Sequence, residues 1–105
     1  MKKEKLENMI GGWFIGDFEP SLLKTKDFEV AIKNYKSGDS EVEHFHKIAT
    51  EYTVIVKGKV RMMGVEYNEG EIIIIPPMES TDFKALTDVT TAVVKIPGAS
   101  NDKYI

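Results

Sequence analysis

An all-β fold of short strands, a sandwich or barrel, is predicted by three features of the chain. After residue 12 no segment carries the 3.6-residue periodicity of a helix over a useful length. Short apolar stretches instead alternate with turn residues at intervals of about eight to twelve residues, the rhythm of β-sandwiches and barrels. Finally, Tyr52 to Val56 and Ile72 to Ile75 are apolar on both faces of a strand, so each needs cover on two sides.

The elements follow in order. Met1 to Met9 reads either as a short amphipathic helix or as a loose tail. Gly11-Gly12 frees the backbone before Trp13-Phe14-Ile15, a short edge strand, and Pro20 with the residues to Asp27 reads as a connection. From Phe28 the period is two: Phe28, Val30 and Ile32 lie on one face, Glu29 and Lys33 on the other, the pattern of a half-buried strand. Lys36 to Ser40 is turn chemistry. Strands are expected over Val42 to His46 and Glu51 to Lys57, then a tight turn at Gly58-Lys59. Val60 to Met63 and Val65 to Tyr67 form a hairpin around Gly64, and Asn68-Glu69-Gly70 turns into the isoleucine run. After Pro76-Pro77 come strands around Thr81 to Leu86 and over Thr90 to Ile96, closed by Pro97-Gly98.

With 105 residues the chain is expected to be one domain, an N-terminal arm over about 1–12 and a barrel over 28–97. Hydrophobic residues at 42% and charged residues at 30% are those of a soluble globular protein. The net charge of -3 offers no general attraction for nucleic acid or anionic lipid, so neither is an expected partner. No cysteine is present, which removes disulfides, thiolate ligands and thiol nucleophiles and fits a reducing cytoplasm, the expected location. The start lacks the apolar stretch of a signal peptide, and no run approaches the ~20 apolar residues that span a bilayer.

The chain's two histidines stand two residues apart in a spaced frame: Gly38, His44, His46, Glu51 and Gly58. Alternate residues of a strand share a face, so His44 and His46 point together while Phe45 points away. Two imidazoles there can hold one divalent metal, with a carboxylate from the neighbouring strand as a third ligand. The plainer alternative is a pair of surface histidines followed by an unrelated Glu.

At every fixed position this stretch resembles the first motif of the cupin superfamily, G-x5-H-x-H-x4-E-x6-G. The second cupin motif, resembling G-x5-P-x-G-x2-H-x3-N, is half present: Gly70 and Pro76 match, but Met78 replaces the second Gly, Thr81 the metal-binding His and Ala85 the Asn. The resemblance covers about Gly38 to Phe83 and implies a jelly-roll barrel of the small single-domain cupin 2 type. The family's ligand set of three His and one Glu cannot form from two histidines. The resemblance implies a divalent metal (Fe, Mn, Ni or Zn) on His44, His46 and Glu51, with Thr81 facing inward at the vacant histidine position. Asp82 reaches the site only through a bulge.

Three functions compete. One is a metal-dependent enzyme acting on a small polar metabolite: a sugar, keto acid or hydroxy acid. Its class (isomerase, dioxygenase or decarboxylase) stays open. Another is a metal-free isomerase or epimerase of nucleotide-linked sugars, with His44 and His46 as acid and base beside a tyrosine: Tyr35, or else Tyr52 or Tyr67, all three also readable as ordinary strand aromatics. The last is a non-catalytic ligand-binding or metal-binding module. Met62, Met63 and Met78 read as pocket lining or core filler, and Trp13 as barrel mouth or packed edge. Arg61 reads as an anion ligand or an exposed hairpin residue, and Asn101 to Tyr104 as a docking strand. The second face of the two-sided runs is covered either by a terminal strand or the N-terminal segment, or by a second chain; because cupins commonly pair through such sheets, a homodimer is expected.

Overall fold

The computed structural model describes residues 1–99 and 101–105. Its strands are β1 (Trp13–Ile15), β2 (Glu29–Tyr35), β3 (Ser40–His44), β4 (Thr50–Lys57), β5 (Lys59–Met62), β6 (Val65–Asn68), β7 (Ile72–Ile75), β8 (Thr81–Ala85) and β9 (Val89–Ile96). They form two antiparallel sheets, a five-stranded one in the order β1-β2-β9-β4-β7 and a four-stranded one in the order β3-β8-β5-β6. The expected all-β jelly roll is the observed fold. Among the described residues no helix is long and apolar enough to cross a membrane.

Turn chemistry sets the corners. Met63 and Gly64, both at positive φ, make the two-residue connection whose twist matches the strands of the β5–β6 hairpin. Gly58 joins β4 to β5 at φ 95°, and a Cβ there would collide with the Asp88 carbonyl, so the last glycine of the spaced frame is a steric requirement.

The inward rows of the five-stranded sheet run from apolar to polar. At one end Ile55 and Val89 meet Val60, Ala85, Phe83 and Met62 of the facing sheet in the buried core. Further along β9 the same face presents Thr91, Val93 and Lys95, while β4 presents Thr53 and Glu51. Strand period thus converts one closed, greasy end into one open, polar end.

β2 keeps its period of two but presents the opposite face from the one that hydrophobicity suggests. Lys33 and Tyr35 line the interior pocket, and Ala31, on their side, is fully buried. Val30 and Ile32 lie on the outer surface of the sheet. The inversion has a physical cause: at this end the interior is a polar cavity, and the outer face is the apolar one. Leu6, Met9, Phe14 and Leu22 gather over Ile32 there. The N-terminal arm itself holds only one 3-10 turn, Leu6–Asn8. It does not reach β4 and β7, where Tyr52, Val56, Ile72 and Ile74 stay exposed, Ile72 at 63%.

The C-terminus docks beside the histidines. Phe45 and Tyr104 form an isolated bridge with hydrogen bonds of 2.8 and 2.9 Å, and their rings stack 5.5 Å apart. Asp102, 4% exposed, accepts the backbone N–H groups of Lys47, Ile48 and Ala49 at 2.9 to 3.2 Å. Burial pushes its carboxyl up, but those three backbone donors, helped by His46, outweigh burial and hold it below the usual aspartate value.

Candidate functional site

A pocket of about 140 Å³ opens between the sheets at the polar end. It is smaller than the ~300 Å³ at which drug-sized ligand sites begin. His44, His46, Glu51, Tyr35 and Thr81 all line it.

Two local irregularities place these groups. β3 stops at His44 rather than His46, and Phe45 continues only as the bridge to Tyr104. That bridge keeps the alternation intact, so both imidazoles still point inward, with ring centroids 5.3 Å apart and planes at 85°. A bulge also separates Glu41, paired with Phe83, from His44, paired with Thr81. Three residues on β3 span two on β8. Without the extra residue Glu41 and His44 would face opposite ways; with it both enter the pocket.

The tautomer of His44 follows from its partner. Nδ1 lies 3.0 Å from the Val42 carbonyl, which can only accept, so Nδ1 carries the proton and Nε2 is the basic nitrogen. His46 is 5% exposed. Burial, reinforced by the positive charge of Lys95, pushes its imidazole below the usual histidine value, so it is neutral at pH 7.

Tyr35 is in the pocket wall, but its hydroxyl is engaged, donating to Glu41 Oε1 at 3.1 Å. Burial, then the Glu41 charge, drives its pKa far upward, so it holds its proton. The hydroxyl of Tyr35 is thus held on Glu41 within the pocket wall. Burial pushes Glu41 up as well, but Lys33 at 3.3 Å and the tyrosine hydroxyl outweigh it and keep the carboxylate ionised. Of the other tyrosines, Tyr52 is exposed and Tyr67 packs against the core.

The metal expectation meets a mixed donor set. Imidazoles sharing one ion at ~2.1 Å per bond hold their centroids roughly 5 Å apart, and the histidine pair has that spacing. The third donor is lacking: among the described residues no group of three His, Cys, Asp or Glu side chains is arranged to hold a metal ion. Thr81 stands opposite His44, Glu51 accepts the Thr53 hydroxyl at 2.8 Å, and Lys95 is the β9 neighbour of Glu51 in the ladder. Asp82 also borders the pocket, where it accepts the Met63 N–H at 2.6 Å. The residues present do not fit a three-ligand metal centre.

Sequence reasoning missed Lys33, Glu41, Thr91, Lys95 and Lys103 as pocket residues. The first four are inward strand positions that only the register reveals, and Lys103 arrives with the docked tail. Trp13 does form part of the mouth, with Lys95 Nζ 4.8 Å and Lys33 Nζ 5.9 Å from its ring. Arg61 is an exposed hairpin residue paired with Glu66, and Met78 is exposed.

These two sheets and the pocket between them define a cupin-fold, double-stranded β-helix protein, the class that the histidine frame resembles. No protein-family model and no curated protein sequence matches the chain. Among solved structures it is similar to KdgF from Halomonas sp., at 18% identity and TM-score 0.65 over 73% of this chain and 74% of that one. An RmlC-like cupin protein from Desulfovibrio desulfuricans aligns at 20% identity and TM-score 0.64, over 72% and 77%. Oxalate decarboxylase from Bacillus subtilis aligns at 19% identity and TM-score 0.64, over 75% of this chain but 24% of that one. At these identities the likeness establishes the fold.

Proposed function

We propose that the protein binds a small polar metabolite in the barrel pocket and moves a proton on it, with His44 as the base, His46 as its neutral partner and no metal ion required. The observation that carries this reading is the Val42 carbonyl on His44 Nδ1, which leaves Nε2 basic inside a cavity. A base so placed suits removal of a proton next to a carbonyl, the elementary step of an isomerase or epimerase acting on a sugar, keto acid or hydroxy acid. The size of the cavity favours the metabolite itself over a nucleotide-linked one. Positioned general bases contribute roughly 100- to 10,000-fold in rate.

The test is deuterium exchange followed by NMR. The protein is incubated in D2O with a panel of small sugars, keto acids and hydroxy acids. Exchange next to the carbonyl in at least one compound, reduced about 100-fold or more in His44→Gln, supports the reading. Exchange unaffected by that change sinks it.

A second reading, a divalent metal on His44, His46 and Glu51, is favoured by the placement of all three on one pocket and by the spacing of the imidazoles. Exchange abolished by EDTA and restored by Mn, Fe, Ni or Zn would select it. We also propose a homodimer through the exposed apolar face of β4 and β7. A binding role without catalysis is the remaining outcome, met if a panel compound binds without exchange.

A further inference from the structure

Building on the reading that the pocket holds a small polar ligand, we propose that the Lys95 ammonium is the pocket's resident cation. It stands beside Glu51 in place of a metal ion and receives an anionic group of the ligand, a carboxylate or a phosphate.

The register puts Lys95 there. On β9 it lies between Glu29 of β2 and Glu51 of β4, so an ammonium and two carboxylates cross three strands in one row at the open end of the pocket. Its side chain is 16% exposed, far from the solvated state usual for lysine. Among the described residues the ammonium makes no hydrogen bond, and its one ion pair, with Glu29 Oε1, is 4.0 Å long. Glu29 is meanwhile engaged through its other oxygen, which accepts the Ala99 N–H at 2.8 Å. Lys33 differs: Glu41 meets it at 3.3 Å. Lys95 therefore brings to the pocket an ammonium with three donors and no hydrogen bond among the described residues.

A second, independent observation points the same way. Thr91, on the same face of β9, is fully buried, and its hydroxyl has no hydrogen-bond partner. One wall of the pocket thus carries two polar groups without hydrogen-bond partners among the described residues, the Lys95 ammonium near the mouth and the Thr91 hydroxyl deeper in. An ammonium on the ladder neighbour of Glu51 also disfavours a divalent ion at that carboxylate, because like charges repel.

Trp13, the only tryptophan in the chain, reports on this site because Lys95 Nζ lies 4.8 Å from its ring. Its emission is followed while sodium malonate or inorganic phosphate is added at constant ionic strength. A saturable change with malonate, phosphate or both is expected, and which anion acts tells carboxylate from phosphate. Lys95→Met should weaken it at least about tenfold, the size of a charge-assisted hydrogen bond. Lys59→Met, an exposed control, should leave it unchanged. Glu29→Gln, which releases Lys95 from its ion pair, should tighten the anion about threefold or more, and it serves as the test if Lys95→Met does not fold. No saturable change in the wild type, equal affinity in Lys95→Met, or unchanged or weaker affinity in Glu29→Gln overturns the proposal. The underlying reading fails separately: anion binding through Lys95 with no His44-dependent proton exchange removes the proton-transfer role alone.

Discussion

His44 lies directly opposite Thr81 in the ladder between β3 and β8, so a hydroxyl stands where a third imidazole would face the pair. Neutral hydroxyls are weak metal ligands, whereas a histidine at that point would project beside His44. Thr81→His is therefore expected to raise Zn²⁺ affinity at least tenfold over wild type by calorimetry. An unchanged affinity would mean that the side chain at 81 does not reach the histidines.

Asp102 anchors the tail against the loop that carries His46. Asp102→Asn should cost about 1–3 kcal/mol of stability, the range for weakening charge-assisted bonds to backbone donors. The folded carboxyl titrates below its unfolded value, so its contribution is complete above the ordinary aspartate pKa of ~3.9 and is lost as pH falls through the lower folded value. The difference in Tm between wild type and Asp102→Asn should be constant above about pH 5 and shrink below pH 4.

Tyr35 holds its proton while it donates to Glu41. In an alkaline absorbance titration of the folded protein, one of the four tyrosines should ionise after the others, and Tyr35→Phe should remove that late component. A raised folded pKa stabilises the fold below the unfolded value of ~10 and ceases to do so as pH climbs toward the folded one.

Tyr52, Val56, Ile72 and Ile74 form an apolar surface on β4 and β7. Burying four such side chains between subunits contributes several kcal/mol before association costs. Light scattering at micromolar concentration should give twice the 11.8 kDa chain mass, and Ile74→Glu should return it to one. A wild-type mass of 11.8 kDa would mean that this face stays uncovered.

The sequence disclosed the strands and the histidine pair because both obey local rules: period two for the strands, and fixed spacing within one loop and strand for the pair. It did not disclose Glu41, since reading it into the pocket requires the bulge before His44, and an inserted residue leaves no mark on hydrophobicity. Lys33 and Lys95 were hidden differently. Charged residues on a strand normally mean the solvent face, and here the polar face is the interior of the barrel. The docking of Asp102 on Lys47 to Ala49 joins residues more than fifty positions apart, beyond any spacing rule.

Calorimetric titration decides whether the histidine pair works in this pocket without a three-ligand metal centre. Mn²⁺ and Zn²⁺ are added to untagged, EDTA-treated protein and to His46→Ala. Less than about 0.2 equivalents of metal should bind with any dependence on His46, the remainder being weak and common to both proteins. Binding of one equivalent to wild type, lost in His46→Ala and in Glu51→Gln, would contradict it.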